Sequence, residues 1–275
     1  MSLISPRFIS SARLIRASLG ETIRQGASGR HVHLVQAALI DLGYPMPRST
    51  SSMHYSPDGS FGNETKEQLI AFQNANNITP SGVIDRDTIL ALDHFSRGYK
   101  HRIRLHFRSL SLTHVPFARS LADAEIVFGQ YQIQIEFASG MSLMLSADEE
   151  SAFNQIAGTC EWVINSGEYD RLHRMGTPAP PNDILVYYVR GFNEANLLGC
   201  GGHAVNRPAC TVAANAGRWD TAHEVGHVLL TSTFNPVHTS DTRNLMHAFA
   251  QPPTTPVLTM SQVNQIRSSP CCTAI

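Results

Sequence analysis

Two hydrophobic rhythms divide the chain. Between residues 21 and 95, apolar side chains return at helical spacing: Val32, Val35, Leu39 and Leu42 share one face, as do Leu69 and Phe72. Gly43, Gly59 and Gly82 punctuate the turns between these runs. The stretch also repeats itself imperfectly. "VQAALIDLGY" leads to "DGSFGNET" and "LIAFQNANNI" to "SGVIDRDT"; in both copies a glycine (Gly59, Gly82) precedes a threonine (Thr65, Thr88) by six positions. The pattern predicts a small all-α three-helix module. After "HFSRGYKH" the rhythm changes to period two. "RIRLHFRSLSL" alternates as a strand, "PFARSLADAEIVFGQY" reads as a helix, and "IQIEFAS", "SLMLS" and "ILVYYV" read as strands before a further helix at "HEVGH". That order predicts an α/β (α+β) domain with a mixed twisted sheet. The expected organisation is an N-terminal arm over 1–20, the helical module over 21–95, a linker over 96–101 and the second domain over 102–275.

Composition agrees with two cores, since 275 residues with 42% hydrophobic side chains can bury both. Lys plus Arg number 21 against 22 Asp plus Glu, a formal net charge of −1. That balance excludes a nucleic acid or an anionic membrane surface held by bulk electrostatics. No apolar run approaches the roughly 20 residues of a membrane span. In the first twenty residues, Arg7, Arg13 and Arg16 interrupt every apolar stretch, so no signal-peptide core forms. An Arg- and Ser-rich start without an acid before Glu21 superficially suits a transit peptide; an N-terminal arm is the reading carried forward. A protein of this kind working outside the cytoplasm is expected to leave without the general secretory signal.

The five cysteines, Cys160, Cys200, Cys210, Cys271 and Cys272, all lie beyond the midpoint, and none has the C-x-x-C spacing of a structural zinc site. Cys200 and Cys210 flank a loop that a disulfide could close, and one of the C-terminal pair could reach Cys160. Reduced thiols are the alternative, because an odd count does not force pairing.

The chemistry concentrates in "HEVGHVLLTSTFNPVHTSDTRNLMH", residues 223–247. His223 and His227, four apart on a helix, point to one face and can chelate zinc together. Glu224 sits beside them, placed to take a proton from a zinc-activated water. A catalytic zinc needs a third protein ligand. No glutamate follows residue 228, which leaves His238, Asp241, His247, Cys271 and Cys272.

The N-terminal module resembles the peptidoglycan-binding domain-like family. Gly26, Gly29, Val32, Gln36, Asp58, Gly59, Phe61, Gly62, Thr65, Phe72, Gln73, Gly82, Val83 and Thr88 match its pattern. Val35 stands in a usual leucine slot, Ser81 replaces the usual aspartate, and "PMPRSTSSMHYSP" stretches the first turn. The resemblance implies peptidoglycan as a partner, while a docking module without wall binding is its bland counterpart.

The second domain resembles the metzincin peptidases, most closely the matrixin-like branch. Their compact H-E-x-x-H-x-x-G-x-x-H is broken here, with Leu230 in the glycine slot and Thr233 in the third-histidine slot. From the other end the match returns: "HTSDTRNLM" resembles H-S-x-D-x-x-x-L-M, with Met246 eight residues after His238. An insertion of five residues, turning at Asn235-Pro236, accounts for both. The resemblance then implies zinc held by His223, His227 and His238, with Asp241 in reserve and Met246 packed beneath the metal. It also implies that "GCGGHAV" (Gly201, Gly202, His203, Ala204) is the edge along which an extended substrate lies, and that "LTMSQVNQIRSSP" is a C-terminal helix. Trp219 and Asp220 suit packing and capping, and His203 a loop position. The cysteine with which matrixins silence themselves has no counterpart before Cys160, so the N-terminal module fits targeting better than inhibition.

The resulting expectation is a zinc metalloendopeptidase acting on a protein or peptide, directed to bacterial cell wall. It would be secreted or delivered to the periplasm or cell envelope, as an effector or toxin, by a route without a classical signal peptide. An immunity or inhibitor protein is a candidate partner. The alternative is a catalytically inactive wall- or partner-binding protein.

Overall fold

The computed structural model describes residues 2–51, 56–110, 117–248 and 254–275. Ser111, Leu112 and Pro116, included in expected elements, lie outside the described residues, as does 52–55 of the stretched turn. The chain separates into two compact units. One comprises Met1–Lys100, Gly129–Gln132 and Val257–Asn264; the other comprises His101–Phe128, Ile133–Pro256 and Gln265–Ile275.

In the first unit, α1 (Pro6–Ile9) and α2 (Ala12–Ser18) precede the three helices expected from the periodicity, α3 (Arg30–Asp41), α4 (Asn63–Ala75) and α5 (Arg86–Phe95). Val32, Val35, Leu39, Leu69 and Phe72 are buried in one core together with Ile84, Ile89 and Leu92. Residues 1–20, expected as an arm, contribute Leu3, Phe8, Leu14 and Ala17 to that same core. Asp93 fixes the chain start: its Oδ1 accepts the Ile4 and Ser5 N–H groups at 3.0 and 2.8 Å.

The internal repeat has a physical cause. In the first copy, the buried Gln36 amide donates to Asp58 Oδ1, the Ser60 carbonyl and Thr65 Oγ1, while its oxygen accepts the Gly59 N–H at 2.9 Å. In the second, Gln73 donates to Ser81 Oγ, the Val83 carbonyl and Thr88 Oγ1 and accepts the Gly82 N–H at 2.9 Å. Each glutamine thus clamps a turn whose glycine adopts positive φ, 71° at Gly59 and 63° at Gly82. The helix, the glycine and the threonine recur together because one side chain needs all three.

The second unit is built on β1 (His101–Leu110), α6 (Phe117–Phe128), β2 (Ile133–Leu143), α7 (Ala147–Ala152), α8 (Gly167–His173), β3 (Ile184–Val189), β4 (Gly199–Cys200), β5 (Ala209–Ala213) and α9 (Asp220–Leu230). α10 (Met260–Ser268) and β6 (Thr273–Ala274) close the chain. The sheet order is β2-β1-β3-β5-β4, with β6 paired to β1. β1 runs parallel to β2 and β3, and β3 parallel to β5, whereas β4 lies antiparallel on β5. β3 is buried throughout, as its unbroken apolar run requires of a central parallel strand. "IQIEFAS" and "SLMLS", expected as separate strands, share one: β2 continues to Leu143, and Met144 beyond it is exposed. A bulge opposite Leu105 and His106 absorbs one extra residue of β2. No helix among the described residues is long and apolar enough to cross a membrane.

Replacing Gln73 with Leu should leave the Gly82 N–H without its acceptor and remove the amide's bonds to the Val83 carbonyl and Thr88 Oγ1, which keep their contacts with Asp85. The expected loss is about 2–4 kcal/mol of module stability, read as a lower urea midpoint. Ser81→Asp should move that midpoint upward, because it restores the shorter carboxylate contact that Asp58 makes in the first copy.

Candidate metal centre

Helix α9 sets the geometry. Its apolar side, Val225, Val228, Leu229 and Leu230, is buried, which turns His223 and His227 together toward a cleft. Their Nε2 atoms lie 3.0 Å apart. The helix stops at Leu230, where Thr231 takes a left-handed φ of 63°, and the chain returns through the cis Asn235–Pro236 peptide. That return brings His238 Nε2 to 3.1 Å from His227 Nε2. The glycine and histidine slots filled by Leu230 and Thr233 are therefore displaced, with the turn made one residue later and the third imidazole supplied from beyond the inserted loop.

All three ligand atoms fall within 4.8 Å of one another. Nitrogens roughly 2.0–2.1 Å from one zinc in tetrahedral array stand a little over 3 Å apart, so the donor set fits that ion. His223 Nδ1 is 2.7 Å from the Leu245 carbonyl; a carbonyl only accepts, so the proton sits on Nδ1 and the Nε2 lone pair faces the cluster. Burial, with the neighbouring histidines adding to it, pushes His223 down to about 4 and His227 well below its ordinary value. His238 is lowered by burial and by His247. The three imidazoles are neutral at pH 7, the state that a metal requires.

Glu224 is 7% exposed and lines the same cleft. Burial, and secondarily Asp220, raises its proton affinity well above the usual carboxylate range. Asp220 itself accepts the Gly217 N–H and holds the turn entering α9. Trp219 is buried against the core and is the residue preceding the helix.

Close approach is arranged with glycines. A Cβ on Gly199 would collide with the Glu224 carboxyl, and one on Gly201 with the His227 side chain. On the far side of α9, a Cβ on Gly226 would come 2.7 Å from Met246 Sδ, so Met246, fully buried, packs directly beneath the histidine helix. Asp241 turns away from the cluster and forms a two-point ion pair with Arg243 at 3.0 Å. His247 lines the cleft without joining the three imidazoles.

The expected substrate edge is partly occupied. His203 N–H donates to the Trp162 carbonyl at 3.3 Å, and Ile164 N–H donates to the His203 carbonyl at 3.1 Å. Gly202 has no room for a side chain because the Glu161 carbonyl lies against it. Gly201 through Ala204 are therefore flanked by residues 161–164, and the cleft floor runs along Gly199, Gly201 and Gly202. His203 is half-buried with Nδ1 against the Ala204 carbonyl, and it lies outside the imidazole cluster.

The disulfide expectations are corrected. Cys160 pairs with Cys200, while Cys210, Cys271 and Cys272 are buried thiols. Cys200 stands opposite Thr211 in the β4–β5 ladder, so Cys210 points to the other sheet face and cannot meet it. The bond fastens the segment carrying Trp162, whose ring meets His227 edge-on at 5.5 Å. Trp162 escaped sequence reasoning: it lies far upstream of His223, and only the nearby Cys160 hinted at a link. The assembled cleft encloses about 550 Å³.

Residues 28–92 match the family described as "Putative peptidoglycan binding domain". A "Probable N-acetylmuramoyl-L-alanine amidase" of Bacillus licheniformis is 32% identical over 76 residues, which is 28% of this chain and 20% of that protein. A peptidoglycan-binding protein from Clostridioides difficile, solved with glutamine hydroxamate, is 29% identical over 28% of this chain and 42% of its own, with a TM-score of 0.24. Metalloproteinase-II of Bacteroides fragilis is 12% identical over 62% of this chain and 53% of its own (TM-score 0.39), and archaemetzincin of Methanopyrus kandleri 11% identical over 60% and 94% (TM-score 0.38). The N-terminal module thus carries the peptidoglycan-binding domain pattern, and the structural neighbours over the larger part of the chain are metallopeptidases.

Proposed function

We propose that the chain is a zinc-dependent metalloendopeptidase directed to bacterial cell wall by its N-terminal module. The observation that carries this reading is the convergence of the His223, His227 and His238 nitrogens within 4.8 Å, beside the Glu224 carboxyl in one cleft. Zinc bound there would polarise a scissile carbonyl and acidify a water. Glu224 accepts the proton of that water and delivers it to the leaving amine, a role that suits a carboxyl placed one residue from His223 and without a side-chain partner among the described residues. Met246 supports α9 from below and makes no bond to the metal. The Leu245 carbonyl keeps His223 in the ligating tautomer.

The N-terminal domain supports peptidoglycan as a partner, and the Cys160–Cys200 disulfide supports work in an oxidising compartment such as the cell envelope.

Elemental analysis of the purified chain should give one zinc per molecule. His238→Ala should lose most of it, whereas Asp241→Ala should keep it, since Asp241 is committed to Arg243. Loss of the metal from Asp241→Ala alone would overturn the ligand assignment. Glu224→Gln should retain zinc and lower peptide hydrolysis by about 10²–10⁴-fold. The intact chain should also co-sediment with purified peptidoglycan, and equal recovery in the supernatant with and without wall material would reduce the N-terminal module to a docking role.

A further inference from the structure

The cleft over the three imidazoles has walls of one sign. Glu161, Glu194, Asp220 and Glu224 line it, and among the described residues no lysine or arginine does. Asp220 is engaged with Gly217, and Glu224 belongs to the reacting centre. Glu161 and Glu194 are exposed, and neither side chain makes a hydrogen bond or ion pair among the described residues. Their placement is nevertheless fixed. Glu161 lies between the disulfide-bonded Cys160 and Trp162, whose carbonyl is held by the His203 N–H. Glu194 begins a turn closed by the Leu197 N–H on its carbonyl at 3.3 Å. Glu194 and Glu224 both line the cleft that holds the imidazoles.

Two further observations point to a bound group. Trp162 keeps 37% of its surface exposed while its ring stands nearly perpendicular to that of His227, so a partly open aromatic wall lies beside the imidazoles. Glu224, by contrast, is a buried carboxyl with no side-chain partner, facing into the cleft. A cation near an open tryptophan face and two unpaired carboxylates gains from both, and a concave wall of one sign focuses the field.

We infer that the cleft selects a peptide segment carrying a cationic, lysine-like side chain, bound by the Glu161 and Glu194 carboxylates with the Trp162 ring as its wall. The inference rests on the peptidase reading for its substrate class and adds the residues that choose among peptides. An anionic side chain at the same position is repelled, and an uncharged one gains only the contact with Trp162.

The test compares two peptides identical except for one residue, lysine in one and acetyl-lysine in the other. Binding of each to zinc-loaded Glu224→Gln protein is measured by calorimetry, and hydrolysis by the zinc-loaded unsubstituted protein is followed in parallel. The lysine peptide should bind roughly tenfold more tightly, the sum of two exposed ion pairs and one cation–π contact. This ratio should fall toward one in the Glu161→Gln/Glu194→Gln protein and at high salt. Glu161→Lys/Glu194→Lys should instead favour a glutamate peptide. Both positions are exposed, so these proteins keep the fold, which circular dichroism checks. Equal binding of the two peptides, or a preference that survives the double glutamine substitution, overturns the inference. If neither peptide is hydrolysed yet the lysine peptide still binds preferentially, the peptidase reading fails and the cationic selectivity stands.

Discussion

Everything at the candidate metal centre depends on how closely the edge strand can approach the histidine helix. At Gly199 in the strand and Gly201 just beyond it, the Glu224 carboxyl and the His227 side chain fill the space that a side chain would need, so both meet bare main chain. Gly226 performs the same service on the opposite side of the helix for Met246. Helix α9 is thereby gripped between a strand and a methionine with no intervening side chains. Side chains held by packing on both sides keep their rotamers, and a ligand set is only as accurate as the rotamers that present it. The Leu245 carbonyl adds the remaining restraint, since it fixes one imidazole's tautomer as well as its direction.

The sequence showed the fold class, and marked the residues that the cleft brings together, because both are encoded locally. His223, Glu224 and His227 lie within one helical turn and a quarter, and the switch from a helical to a period-two rhythm separates the two modules without reference to any contact. His238, which the structure brings beside the two helix imidazoles, was marked for a different reason: the resemblance rests on its spacing to Met246 and not on its spacing to the helix. The structure explains that asymmetry. Thr231 ends the helix and the loop returns at will, whereas residues 238–246 form one compact turn in which Thr239 N–H reaches the Met246 carbonyl at 3.0 Å.

What escaped the sequence depends on pairings between distant segments. The edge strand was recognisable from "GCGG", yet the partner that flanks it, residues 161–164, bears no local mark. The cysteine partners were open for the same reason: which face of β5 Cys210 occupies follows from the register of β4 on β5, and register is a property of the sheet. Residues 1–20 misled through composition. Their arginines and serines suggested a loose arm, but Phe8 and Leu14 are spaced to enter the core and Arg7 is buried in an ion pair with Asp41.

The disulfide also alters what damage means for this molecule. Cys160 and Cys200 close a covalent ring forty residues in circumference that contains α8, β3 and the exposed loops between them. A cut anywhere inside that ring leaves both ends attached through the sulfur bridge, so the segment bearing Trp162 and the strand bearing Gly199 cannot drift apart. The cleft-lining loops between the two cysteines are thus places where a nick does not divide the chain.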